Sequence, residues 1–204
     1  MINPDVEISR LRELMPASGR MNTRLVSRPK QTYVILTKFP KPWKQTHPIS
    51  INFDLWGQLS LPQRDLILLR QISWLTSVKL IKPDLYQGLT AAGLVGALFE
   101  LVQFDAIGVL TAGGLTAIAG SQIWRTSRGP GAEIEADEMA LRVAQRRGYN
   151  EPDAAQHLLS AIESMPRIEG RSSLTFTELI RAQNLRAIAG LSLTETPGSI
   201  RNQN

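Results

Sequence analysis

Side chains able to do chemistry are few along this chain, and unevenly placed. There is no cysteine, which removes disulfides, thiolate zinc sites, iron–sulfur ligation and cysteine nucleophiles together. Histidine occurs twice. His47 lies in a proline-rich basic stretch and His157 on the face of an expected helix, and each reads as an ordinary surface or core residue. No glycine-rich loop is followed by Lys-Ser or Lys-Thr, and Gly113-Gly114 sits in an apolar run, so a phosphate-cradling loop is excluded. No Gly-x-Ser-x-Gly elbow presents a serine nucleophile. Charge remains. From residue 1 to 50 there are nine basic residues, Arg10, Arg12, Arg20, Arg24, Arg28, Lys30, Lys38, Lys41 and Lys44, against Asp5, Glu7 and Glu13, a net +6 in a chain whose total is +5. Such a segment reads as a basic arm suited to an anionic surface, whether nucleic acid or lipid headgroups, or else as a solvated leader. Asp5, Glu7 and Glu13 stand where a secretory signal needs an apolar core, so the start of the chain is expected in the cytosol.

The whole has 204 residues, 43% hydrophobic and 20% charged, with mean hydropathy −0.10. That allows one domain with appendages and excludes a wholly disordered or polytopic chain. Tyr33–Thr37 and Ile49–Phe53 read as two short strands, a small hairpin. Ser60, Pro62 and Gln63 make a capped start for a helix over about Leu61 to Leu80, with Leu66, Leu69, Ile72 and Leu75 at helical spacing. A Gly-Pro-Gly break at residues 129–131 precedes a helix over Ala132 to Arg147, ended by Gly148. Asn150 caps the next, from Glu151 to about Met165. Thr175 and Glu178 form a capping box for a last helix ending near Gly190, before a polar, flexible tail over 191–204.

Between Leu85 and Trp124 the only charges are Glu100 and Asp105, near the middle. Two apolar arms of about sixteen residues would each reach about 24 Å, against a hydrocarbon core of about 30 Å. Lys79 and Lys82 precede the first arm and Arg125 and Arg128 follow the second, which puts the basic ends opposite the acidic tip. The segment therefore reads as a hydrophobic helical hairpin that enters a membrane, anchored through Leu89, Leu94, Leu98, Phe99, Ile107, Leu110, Leu115 and Ile118. A glycine- and alanine-rich pair buried in soluble protein fits the same pattern. Trp43, Trp56, Trp74 and Trp124 flank the arms or strands, where interfacial anchoring and plain packing both fit.

Two stretches, Glu133-Ile-Glu-Ala-Asp137 and Gly148-Tyr-Asn-Glu-Pro152, resemble the third-ligand region of the membrane-linked zinc metallopeptidases that include the HtpX-type heat-shock protease and the prenyl-protein endopeptidase. Those enzymes carry Glu-x-x-Ala-Asp on a helix followed by a Gly-Tyr turn. The resemblance covers roughly Ile49 to Ala161 and implies a zinc-binding glutamate at Glu133 and a supporting aspartate at Asp137. It also implies an earlier His-Glu-x-x-His helix, in which two imidazoles share a face and the glutamate activates water. Aligned by position, that place reads Arg70-Gln71-Ile72-Ser73-Trp74. Arginine has no acceptor, the indole offers only a donor, and glutamine is no general base. The resemblance thus implies a vestigial site of Arg70, Gln71, Trp74, Glu133 and Asp137, with an Arg70–Glu133 pair where relatives hold metal. The chain also resembles a family of uncharacterised cyanobacterial proteins, which implies a thylakoid or plasma membrane.

The resulting expectation is a mainly α-helical α+β fold, metallopeptidase-like, with a small N-terminal β-hairpin and an inserted hydrophobic hairpin at 85–124. Residues 1–45 would be the basic arm with the first strand, and 46–190 the helical domain. The expected function is non-catalytic: a membrane-associated pseudopeptidase acting as a protein-binding scaffold or assembly factor. It would use no cofactor and no metal, its partners being membrane lipid and another protein. Two alternatives are an active metal-dependent peptidase using Glu133, Asp137 and His157, and a nucleic-acid-binding protein acting through the arm, the weaker partner reading.

Overall fold

Ser60 and Gln63 close the reciprocal cap that their spacing predicts, the Ser60 N–H donating to Gln63 Oε1 at 2.8 Å and the Gln63 N–H to Ser60 Oγ at 3.4 Å. This cap starts the central helix of the fold. The structure is a computed structural model that describes residues 2–40, 44–77 and 129–191. In chain order these residues form α1 (Pro4–Leu14), α2 (Ala17–Asn22), β1 (Thr23–Ser27), β2 (Ile35–Thr37), β3 (His47–Ile51), α3 (Phe53–Trp56), α4 (Leu61–Ser77), α5 (Pro130–Gln145), α6 (Glu151–Ile168) and α7 (Phe176–Ile188). The fold is mainly helical with one small sheet, an α+β arrangement.

Helix α4 buries Leu66, Ile67, Leu68, Leu69 and Ile72 in succession, so it is apolar around most of its circumference and must be covered on several sides. Helix α5 covers one side. Its Ala136, Ala140 and Ala144 recur every four residues and are fully buried, a ridge of small side chains that lets the two helix backbones lie close. Helix α6 packs on both α4 and α5 through Ala154, Ala155, Leu158 and Ile162, and α7 closes the group against α5 and α6. The turn from α5 to α6 needs a left-handed residue, which Gly148 supplies at φ +93°. Asn150 then caps α6 by accepting from the Asp153 N–H at 2.8 Å.

The N-terminal segment differs from the expected arm. It carries α1 and α2, and it puts Leu11 and Met15 into the core. Asn3 caps α1 and Pro4 takes its first position, while α1 and α2 both pack on α4. Gly19 makes the second contact possible, since a Cβ there would stand 2.8 Å from Ile72 Cγ2. The expected two-stranded hairpin is a three-stranded sheet in the order β1-β3-β2. β2 pairs antiparallel with β3, Ile35 opposite Ile51 and Thr37 opposite Ile49, and β1 adds in parallel, Thr23 opposite His47 through Ser27 opposite Ile51. Pro48 is tolerated in the middle strand because β2 ends opposite Ile49, leaving β1 as its neighbour among the described residues at that point.

The hairpin expected at 85–124, with its anchoring residues Leu89, Leu94, Leu98, Phe99, Ile107, Leu110, Leu115 and Ile118, lies outside the described residues, as does the tail from residue 192. No helix among the described residues is long and apolar enough to cross a membrane.

Candidate functional site

Arg70 sits in the middle of α4 with only 7% of its surface exposed, facing the start of α5. A buried guanidinium needs counter-charge, and α5 provides it. Pro130 opens that helix, so Glu133 falls in its first turn, where the helix dipole favours a carboxylate, and Asp137 lies one turn further along the same face. Arg70 Nη2 pairs with Glu133, and Arg70 Nε lies 3.5 Å from Asp137 Oδ1. Asp137 has no exposed surface, and both its oxygens are taken from the far side by Arg181 of α7, whose Nε and Nη2 each donate at 2.8 Å. This bidentate contact is the strong, directional form of the arginine–carboxylate pair. Burial and the neighbouring Arg181 charge push the Arg70 pKa down to about 9, against the pull of Asp137, which still leaves it cationic at neutral pH.

The structure therefore brings Arg70, Glu133 and Asp137 together. Gln71 stands beside them, accepting from Arg70 Nη1 at 3.4 Å. Trp74, one turn on, belongs to packing: its ring meets Phe39 edge-on at 6.0 Å, and its indole N–H has no acceptor among the described residues. His157 does not join the group. It packs edge-on against Tyr149 at 6.3 Å, and no three histidine, aspartate or glutamate side chains among the described residues are placed to share a metal. The alternative ligand set of Glu133, Asp137 and His157 is corrected accordingly. His47 opens β3 at the sheet, half-buried.

Alongside this network runs a cleft of about 260 Å³ between α4, α6 and α7, with Arg70 and Gln71 on one wall, Leu158 and Met165 on another, and Tyr33 at the sheet side. Its rim is cross-braced. Arg171 reaches both oxygens of Glu178 at 2.8 and 2.9 Å and Glu169 at 2.9 Å, while the other Glu169 oxygen accepts the Val34 N–H at 2.9 Å. Burial alone would raise the Glu178 pKa, but Arg171 and the capping bonds from Thr175 outweigh it and lower it.

A second buried network lies on the opposite flank of α4. Glu7 accepts from Trp56 Nε1 at 3.0 Å, Arg10 Nη2 at 2.9 Å and Arg64 Nη1 at 3.2 Å. Arg10 also donates to Asp65 at 2.6 Å, and the other Asp65 oxygen accepts the Tyr149 hydroxyl at 2.9 Å. The tyrosine of the Gly-Tyr turn thus holds α4. Burial, with the bond to Asp65, pushes the Tyr149 pKa up to about 12. Sequence reasoning did not single out Arg181, Glu7 or Asp65; the local cue for each was a charged residue at a core-facing helical position.

The profile of a family described as proteins of unknown function, DUF3318, matches residues 9–149. The chain belongs to that family. This DUF3318 protein is also 34% identical over 122 residues to "Thylakoid membrane protein slr1949" of Synechocystis sp.. That match covers 57% of this chain and 58% of the relative's length. No solved structure matches. The family is thus one of unknown function, and the Synechocystis relative is named for the thylakoid membrane. Arg70, Glu133, Asp137 and Tyr149 fall inside the family match, and Arg181 lies beyond it.

Proposed function

We propose that this DUF3318 protein is a membrane-associated, non-catalytic scaffold whose helical body resembles a metallopeptidase that has exchanged its metal site for an ionic clasp. One observation carries the reading: Asp137, at the heart of the network, has both oxygens engaged by Arg181 and is approached by Arg70, which also holds Glu133. These groups join α4, α5 and α7 and leave neither a basic imidazole nor a free carboxylate poised over a substrate. What they can do is hold three helices in register beside the cleft. The name of the Synechocystis relative supports membrane association, at a thylakoid if that relative's location carries over. The cleft, with apolar and charged walls side by side, is where a polypeptide partner would dock.

The test has three parts. Elemental analysis of the purified chain should find no stoichiometric zinc, carbonate washing should leave it in the membrane pellet, and cross-linking from gently solubilised membranes should join a partner to residues of the cleft such as Tyr33 or Gln71. Stoichiometric zinc that vanishes in Glu133→Gln would overturn the non-catalytic reading. Full release into carbonate supernatant would overturn membrane association.

A further inference from the structure

We propose that the cleft enclosed by α1, α2 and β1 is a binding site for a phosphate group, carried by an anionic lipid headgroup or free in solution. This cleft, of about 240 Å³, shares no lining residue with the one beside Arg70. Arg12 of α1, Arg20 of α2 and Arg24 of β1 converge on it above a floor of Ile8, Met15 and Leu25, and no carboxylate among the described residues lines it. None of the three arginines forms an ion pair among the described residues. The contrast within the same molecule is informative. Arg10, Arg64, Arg70, Arg171, Arg181 and Arg186 each meet a carboxylate, and three arginines on the other cleft are balanced by Glu133, Asp137, Glu169 and Glu178. Arg12, Arg20 and Arg24 are solvent-exposed and gathered around one concavity, so an anion from solution or from a membrane surface can supply there the counter-charge that carboxylates supply to the buried arginines.

The convergence is built rather than incidental. The Thr23 hydroxyl donates to the Gly19 carbonyl at 2.6 Å, which pins the end of α2 to the start of β1 and holds Arg20 and Arg24 on the two sides of that joint. Arg147 donates to the Met15 carbonyl at 3.0 Å, which ties the end of α1 to the turn after α5. Guanidinium groups present paired N–H donors that match phosphate oxygens, and three around a concavity suit a tetrahedral anion. The volume equals that of about eight liquid waters, enough for a phosphate and part of a glycerol. Met21, next to Arg20 in α2, is 78% exposed, an apolar side chain free to meet acyl chains when the phosphate belongs to a lipid. This site stands whether or not the cleft beside Arg70 holds a protein partner.

Calorimetric titration of the full chain in neutral detergent tests the proposal with two probes, inorganic phosphate and short-chain phosphatidylglycerol, and with short-chain phosphatidylcholine as a zwitterionic reference whose phosphate is offset by its own choline cation. The triple variant Arg12→Gln, Arg20→Gln, Arg24→Gln should weaken binding about tenfold or more. A matched variant, Arg142→Gln, Arg146→Gln, Arg167→Gln, removes the same charge from exposed sites elsewhere and should bind as the parent does. All six side chains are exposed, and thermal midpoints of both variants check that each remains folded. Binding of phosphatidylglycerol alone would assign the site to a headgroup, and binding of both probes to the phosphate itself; either supports the site. Equal losses in the two variants, or no response to either probe at millimolar concentration, would overturn it. So would a DNA duplex that binds the parent and not the cleft variant while both phosphate probes stay silent, since the cleft would then belong to nucleic acid.

Discussion

Asp137→Asn removes one charge and almost no volume at the point where α4, α5 and α7 meet. In the parent, Asp137 is fully buried, takes two hydrogen bonds of 2.8 Å from Arg181, and lies 3.5 Å from Arg70 Nε. The amide keeps one acceptor, so part of the Arg181 contact survives, but among the described residues the Arg181 guanidinium loses its one carboxylate partner and Arg70 retains Glu133 alone. Breaking a buried pair by neutralising one member costs about 3–5 kcal/mol, because the other charge stays buried without compensation. Bulk water screens little here, as Arg181 is 9% exposed and Arg70 7%. For a chain of this size the loss corresponds to a fall of roughly 6–20 °C in Tm. Urea unfolding followed by the emission of Trp56 and Trp74, both buried, measures it directly. Arg181→Met should cost a similar amount, and the double variant clearly less than the sum, with a coupling of about 1–3 kcal/mol. A cost for Asp137→Asn below about 1 kcal/mol would refute the reasoning, because the network would then decorate the helices rather than hold them.

Glu7 gives a pH dependence. Burial alone would raise its pKa, but hydrogen bonds from Arg10 and Trp56 with the charges of Arg10 and Arg64 hold it at about 2 instead of 4.5. A depressed folded-state value means stability that is present above pH 4.5 and lost as pH falls towards 2, at most about 3 kcal/mol; the gap in unfolding free energy between parent and Glu7→Gln should narrow over that window. Gly19→Ala drives a methyl into Ile72 and should destabilise by about 1–2 kcal/mol despite the better helix propensity of alanine, read as a lower urea midpoint. Tyr149→Phe leaves Asp65 without its 2.9 Å donor and should cost about 1–2 kcal/mol by the same measurement. In the parent, ultraviolet titration should show one tyrosine resisting ionisation until pH approaches 12.

The helical body was legible because its signals are local. Ser60 with Gln63, Asn150, Gly148, and Thr175 with Glu178 each act within four residues, and each stands at the helix end where spacing puts it. Arg70 could be set against Glu133 only by analogy to a site, since they stand 63 positions apart and most of the intervening chain carries no charge. Arg181 left no such trace: an arginine in mid-helix is as often solvated as buried, and only packing of α7 on α5 turns it to Asp137. The N-terminal layer was obscured by counting charge over a block instead of by face. Arg10 contributes to the basic total yet points inward to Glu7 and Asp65, and the apolar stripe of Ile8, Leu11 and Met15, at helical spacing behind Asn3-Pro4, is diluted by its charged neighbours. β1 offered five residues split by Arg24, too short to announce a strand until β3 receives it.

Because β3 is flanked on both sides, the basic segment is not a detachable tag. Trimming away the first 45 residues would strip two of three strands, bare both margins of Ile49–Ile51, and pull Leu11 and Met15 out of the interior. A shortened product would tend to clump through those open margins. Loss of any activity from it would report collapse and not the removal of charge, so the positive residues of this region are best interrogated by side-chain substitution in the full chain.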